Sequence, residues 1–320
     1  MSVKSSLSVK KWAGKNSWIW PLFGAVALWL AMGLITGGLK VDVLVTNLTL
    51  MSYLVFLSLG QTVVITGGDG AIDLSIQYTV ALAAYLASLL CVSIGLLPGL
   101  LITLLACACV GIVNGFVNLY IKVPPMITTL AVGYIVYSCV LKLAAKNTGV
   151  PHESILWFAQ KARVGSLSPV VFVALLAVAF MFVLMYHTSY GRKLHAVGQN
   201  RKAAQLAGVR VTPIILGSFV ISSLLAGICG IMLGGYFGGA FQDMGISYML
   251  TSISATVIGG TSAAGGKSSV AGSVCGALML TMLVSFLNVS RLPAATQELI
   301  QGVLLVTILV VSVPKKQVNI

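Results

Sequence analysis

Acid is what this sequence has least of. Its 320 residues hold six Asp and Glu against 19 Lys and Arg, and charged residues of both signs make up 8% of the chain. A soluble domain carries about 25% charged residues, so a water-facing globular surface is excluded. Metal and redox signatures are missing too. There is no CxxC and no Cys/His cluster, and Cys91, Cys107, Cys109, Cys139, Cys229 and Cys275 all lie in apolar runs, where they read as small buried hydrophobes. HExxH, GxSxG and paired catalytic carboxylates within one apolar run are absent, which argues against an intramembrane enzyme. No basic face is interleaved with stacking aromatics, so the net charge of +13 does not indicate nucleic acid.

What the chain does have is oil: 58% of its residues are hydrophobic, with a mean hydropathy of +1.03. This is the composition of an integral membrane protein built from α-helices, one membrane domain over residues 1–320. A span needs roughly 20 apolar residues. Candidates fall near 18–36, 48–66, 73–93, 97–121, 126–145, 169–187, 213–236, 249–262, 269–289 and 297–313, about ten in all. Glycines interrupt the second, third and eighth. Lys4, Lys10, Lys11 and Lys15 in the tail 1–17, with no acid, keep that tail in the cytosol, with Trp18 and Trp20 at the interface. A cleaved signal peptide is the alternative reading of this end. Lys122, Lys267, Lys315, Lys316 and the basic residues of 188–212 then fall in inside loops, which favours an even number of spans and two cytosolic termini. The longest outside loop, near 146–168, has room for a short helix.

Residues 188–213, TSYGRKLHAVGQNRKAAQLAGVRVTP, form the one long charged stretch. It carries Arg192, Lys193, Arg201, Lys202, Arg210 and His195 and no acid, with apolar or small residues at Leu194, Val197, Ala204, Leu206 and Ala207. This reads as a short amphipathic helix and its flanks, presented to a partner. The alternative is an ordinary inside loop whose basic residues only set topology.

Two glycine-rich stretches stand out. At 67–75, GGDGAIDLS places Asp73 at the start of the third span, where with Ser75 it makes an N-terminal cap or else a transport residue. At 257–268, VIGGTSAAGGKS ends like a phosphate-binding loop. However, Thr261 stands where the first glycine should be, no strand precedes it, and no acidic metal ligand follows; a turn between close-packed spans explains it better. Glycine pairs four apart, 111/115, 230/234 and 272/276, suit close helix packing. Polar residues in or near spans are pathway candidates or interhelical glue: Gln61, Gln77, Asn114, Asn118, Gln242, Asp243, Asn288, Gln297, Glu298 and Gln301.

Three stretches in order carry a resemblance. They are GGxxxIDLS at 67–75 (Gly67, Gly68, Asp73, Leu74, Ser75), the loop motif with Gly191, Arg192, Ala196, Gly198, Asn200, Ala203, Ala204 and Gly208, and IGGTSxxGGK at 258–267 (Gly259, Gly260, Thr261, Gly265, Gly266, Lys267). From about residue 48 to the C-terminus the chain resembles the membrane permeases of bacterial ABC importers for monosaccharides of the ribose, arabinose, xylose and galactose type. It departs from the family's tighter GIDLS-VG, because Asp69, Gly70 and Ala71 widen the turn and Ile76 and Gln77 replace Val-Gly.

The resemblance implies a polytopic all-α permease of the type II importer kind in the bacterial inner membrane. It holds no cofactor of its own, since ATP is bound by a separate ATPase subunit. It also implies a periplasmic sugar-binding protein and a second permease chain, identical or related, as partners. The ATPase-docking helix would be residues 200–209, with Arg192 and Arg201 bonding acceptors on the ATPase. An ion-coupled secondary transporter using Asp73 or Glu298 is the rival from another class. Nucleosides or branched-chain amino acids are the alternative cargoes.

Overall fold

Long apolar runs free of charge become helices of membrane length. The computed structural model describes residues 18–146, 149–290, 292–293, 296–297, 299–300, 302–303 and 306–307. The helices are α1 (Ile19–Thr36), α2 (Val41–Thr66), α3 (Ile76–Ser93), α4 (Leu96–Phe116, continued by a π-helical turn Val117–Ile121) and α5 (Pro125–Ala144). A short α6 (Glu153–Leu156), itself continued by a π-helical turn Trp157–Lys161, precedes α7 (Pro169–His187), α8 (Ser189–Gln199), α9 (Arg201–Leu206), α10 (Val211–Phe237), α11 (Ile246–Ile258) and α12 (Val270–Val289). No β-strand occurs among the described residues.

Local chemistry sets the boundaries. Pro125 and Pro169 open α5 and α7, where a missing N–H costs nothing. Gly37 and Gly238 close α1 and α10 in the left-handed conformation. The side chains of Thr188, Asn200 and Ser269 cap α8, α9 and α12 by accepting from backbone N–H groups.

Eight described helices are long and apolar enough to cross a membrane: α1 to α5, α7, α10 and α12. The expected second span is longer than predicted, starting at Val41, and the third starts at Ile76 rather than 73. The expected span at 249–262 is corrected. Helix α11 has 13 residues, and at ~1.5 Å per residue that is about 20 Å, short of the roughly 30 Å hydrocarbon core. Its limits are the Gly245 and Gly259 turns. The last expected span, 297–313, together with Arg291, Glu298, Gln301 and the tails 1–17 and 308–320, lies largely outside the described residues.

Burial sorts the helices into an inner and an outer set. In α2 and α3, 78% and 72% of the apolar window is buried, and in α10 67%, against 22–33% for α1, α4, α5 and α7. Helix α10 packs on α2, α3 and α4, while α12 packs on α1, α2 and α11. Small residues permit this closeness. A Cβ at Gly115 of α4 would stand 3.0 Å from the Leu216 Cα of α10, so the two backbones nearly touch. The outer helices leave Leu101, Leu105, Leu175, Leu176 and Phe180 exposed, the surface expected where lipid is the solvent.

Candidate functional site

Three loops meet at one end of the bundle, and each carries one of the sequence motifs. The first leaves α2 at Gly67, the second joins α8 to α9 at Asn200, and the third runs from Gly259 to Ser269 between α11 and α12. They pack backbone against backbone. A Cβ on Gly68 would lie 2.8 Å from the Gly198 carbonyl oxygen, and one on Gly198 would lie 2.6 Å from the Gly266 amide nitrogen. Gly68 also sits at φ +79, so both space and conformation require glycine there. The Gly266 N–H donates to the Thr66 carbonyl at 3.0 Å, and Gln199 Nε2 reaches the Gly266 carbonyl at 3.5 Å.

Side chains complete the junction. His195 bonds the Gly191 carbonyl through Nδ1 at 2.7 Å and Ser268 Oγ through Nε2 at 2.8 Å. The Tyr186 hydroxyl donates to the Ser268 carbonyl and accepts from Val270 N–H, both at 3.1 Å. Burial pushes the Tyr190 phenol up, so it stays protonated, and its hydroxyl donates to the Ile214 carbonyl at 3.1 Å. Helix α8 is thereby tied to α7, α10 and the loop before α12. Leu194 and Val197 are its buried face, while Arg192 and Lys193 are exposed.

Helix α9 projects from this base. Asn200 Oδ1 accepts from the Ala203 N–H at 3.0 Å, Ala204 is buried, and Ala203, Ala207 and Gly208 are exposed. Leu206 is 91% exposed, a large apolar side chain at the outermost turn with Lys202 and Arg210 exposed nearby in the chain. Arg201, for which the resemblance implies an acceptor on the ATPase, has one within the chain. Its Nη1 pairs with Asp69 Oδ2 at 2.9 Å. The residues that widen the 67–75 turn therefore tether it to α9. Arg201 Nε and Nη2 are buried without a partner among the described residues. Lys267 is exposed on the third loop, which holds its shape through Ser262 N–H to the Lys267 carbonyl at 3.0 Å.

From Asp69 the chain turns back into the bundle. Asp73 is fully buried. Its Oδ1 accepts from Ser75 N–H at 3.0 Å and Ser75 Oγ at 2.6 Å, and its Oδ2 accepts from Ser222 Oγ of α10 at 2.7 Å. Gln61 of α2 clasps the Asp73 backbone, donating from Nε2 to its carbonyl at 2.7 Å and accepting from its N–H at 3.2 Å. Asn114 of α4 donates to Ser75 Oγ at 2.8 Å. Thr129 of α5 accepts from Leu74 N–H and donates to the Ile72 carbonyl, both at 3.0 Å.

The pathway candidate Gln61 is therefore consumed in a buried node joining α2, α4, α5 and α10, while Asn114 spends its Nδ2 there and keeps a buried Oδ1 without a partner among the described residues. Asn118 donates to the Val123 carbonyl at 2.9 Å from the π-helical turn that continues α4. Gln77 is 5% exposed, against Gly245 at the start of α11. Glu298 lies outside the described residues. Ser222 and Thr129 were missed in the sequence, since a serine or threonine within an apolar helix gives no signal until its distant partner is known.

No group of three or more His, Cys, Asp or Glu suited to a metal occurs among the described residues. What the site holds is a glycine-packed base, an exposed short helix, and a polar thread leading from it into the bundle.

Comparison with known proteins agrees on family. A family model described as "Branched-chain amino acid transport system / permease component" matches residues 43–309. The chain is 29% identical over 290 residues to the autoinducer 2 import system permease protein LsrD of Salmonella typhimurium, covering 88% of this chain and 86% of that one. It is 32% identical over 281 residues to the galactose/methyl galactoside import permease protein MglC of Escherichia coli, covering 81% and 82%. The same-named protein of Salmonella typhimurium is 34% identical over 258 residues, covering 74% and 76%. No solved structure matches. With most of its length inside the matched region, the chain belongs to the family of permease components of bacterial ABC import systems.

Proposed function

We propose that this chain is the membrane-spanning permease of an ATP-driven importer in the bacterial inner membrane. It carries a monosaccharide or similar neutral polar solute delivered by a periplasmic binding protein. The observation that carries the reading is the junction of three glycine loops beneath an exposed, Asn200-capped helix. An ATPase subunit docks on α9, with Leu206 as the apolar anchor and Arg192, Lys193, Lys202 and Arg210 around it. On this reading the junction and both termini lie in the cytosol, as the basic bias of the inside loops suggests.

Force travels as rigid-body motion, because a base in which backbones touch transmits displacement rather than absorbing it. A second copy of the chain, or a relative, completes the pathway. The importer class follows from the family, whose permeases work with ATPase and binding-protein subunits. Galactose and autoinducer 2 are the cargoes named for relatives, and they favour a sugar-like solute over the amino acids in the family's description.

Uptake in cells expressing the complete importer tests this. Uptake of radiolabelled galactose and ribose should stop on ATP depletion and persist when the proton gradient is collapsed; the reverse pattern would indicate an ion-coupled carrier. Uptake of leucine in place of both sugars would move the cargo to the amino-acid branch. Leu206→Asp should leave the chain inserted but abolish co-purification of the ATPase, and retention of the ATPase by this variant would remove α9 as the dock.

A further inference from the structure

Asp243 and the tyrosines beside it are not used by the docking junction. Asp243 lies in the non-helical stretch between α10 and α11, and its Oδ1 accepts from the Tyr137 hydroxyl at 3.4 Å. Tyr137 stands seven residues before the end of α5 at Ala144. The contact therefore lies about 10 Å inside that end of the helix. The stretch is held there, since a Cβ on Gly245 would come within 2.7 Å of the Gln77 Cα in the first turn of α3. The Tyr78 ring packs with Tyr137 and Tyr134, centroids 5.1 and 5.6 Å apart. Tyr134 is 55% exposed, and Gln242 and Asp243 are exposed as well.

An exposed carboxylate at this depth is incompatible with hydrocarbon unless it is paired or wet. Asp243 has no cationic partner among the described residues, whose only ion pair is Arg201 with Asp69. Large apolar side chains are exposed around it too, Phe241, Ile246 and Leu250 nearby in the chain and Ile135 beside Tyr134. Unpaired within this chain, the carboxylate needs water or a donor from the second permease chain at this depth.

We infer that Asp243, Tyr137 and Tyr134 form a contact site for a neutral polyhydroxylated solute on the water-filled pathway, an inference that rests on the importer reading above. A carboxylate offers only acceptors, so its two oxygens can take both hydroxyls of a vicinal diol. The tyrosine rings present flat apolar faces to the C–H side of a sugar ring, and the Tyr137 hydroxyl adds a polar tip. The negative charge disfavours phosphorylated sugars and other anions. A single long hydrogen bond and an open face suit a solute that must leave as readily as it arrives.

The test has two arms, both on the full chain in cells carrying the complete importer. Asp243→Cys and Tyr134→Cys should react with a membrane-impermeant methanethiosulfonate reagent above the wild-type background, while Leu176→Cys should not. Absence of labelling at Asp243→Cys overturns the site whatever the cargo. In the second arm, Asp243→Asn should lower galactose and ribose uptake by about tenfold, the effect of losing one charged hydrogen bond. ATP hydrolysis stimulated by the binding protein should stay unchanged; a merely structural role would lower both. If wild-type cells take up these sugars and Asp243→Asn does so equally well, the site is wrong while the importer stands. If wild-type cells take up neither sugar, the sugar cargo fails and this site falls with it, while the ATP-depletion test still decides the importer reading.

Discussion

The two irregular connections inside the bundle, 67–75 after α2 and 238–245 after α10, solve one problem in two ways. Each follows one of the two longest helices, of 26 and 27 residues, and each brings the next helix to start within the bundle rather than at its edge. Backbone without helical partners is tolerated at membrane depth only where protein or water satisfies it. The first connection uses protein. Of its two carboxylates Asp69 pairs with Arg201, while Asp73 is fully buried and takes three donors, and side chains of α2, α4, α5 and α10 bond it or its neighbours. The second is secured by glycine turns, with Gly238 and Gly239 N–H groups returning to the Gly235 and Gly234 carbonyls at 3.3 and 3.0 Å, and by Ala240 N–H on the Gly149 carbonyl at 2.8 Å. Its carboxylate is left exposed. The difference separates a charge enclosed by this chain's own donors from one left exposed.

Swapping the test between the two carboxylates breaks or sharpens that contrast most strongly. Asp73→Ala strands the Ser75 and Ser222 donors in the core and should cost about 3 kcal/mol, read as thermal unfolding in detergent. Asp243→Ala should stay within roughly 0.5 kcal/mol by the same measurement. Equal losses would erase the distinction.

Next in size is Gly198→Ala at the junction, where the added methyl meets the Thr66 carbonyl oxygen and the Gly266 amide and should cost about 2 kcal/mol. It should also weaken co-purification of the ATPase. Ser222→Ala removes one donor from a carboxylate that keeps two others and should cost about 1.5 kcal/mol. Smallest is Asp69→Asn: the pair with Arg201 is partly solvated, with side chains 27% and 57% exposed, so the loss should be about 0.5 kcal/mol and should shrink further in high salt.

Much of the fold was legible because lipid makes length and polarity decisive. Helices α1, α4, α5, α7, α10 and α12 lie within a few residues of the apolar runs that predicted them, and the expected short helix between α5 and α7 is α6. Helix α11 was read too long, since its ends depend on Gly245 meeting Gln77 and on the Gly259 turn, neither of which alters local hydropathy. The polar pathway candidates show the same limit. Gln61 and Asn114 look alike in sequence to Gln242 and Asp243, yet the first two are buried in hydrogen bonds and the others face outward.

By itself the sequence determined that this is a helical membrane protein with one long basic loop, and three ordered glycine motifs marked its family. Both are one-dimensional signals, the number of apolar residues in a row and the residue types at fixed spacing. Only the tertiary structure decided that the three motifs are one site, that Arg201 belongs to Asp69, and that Asp73 is locked while Asp243 is open. Those outcomes depend on which distant helices supply donors, and a linear chain does not encode in its local pattern who its neighbours in space will be.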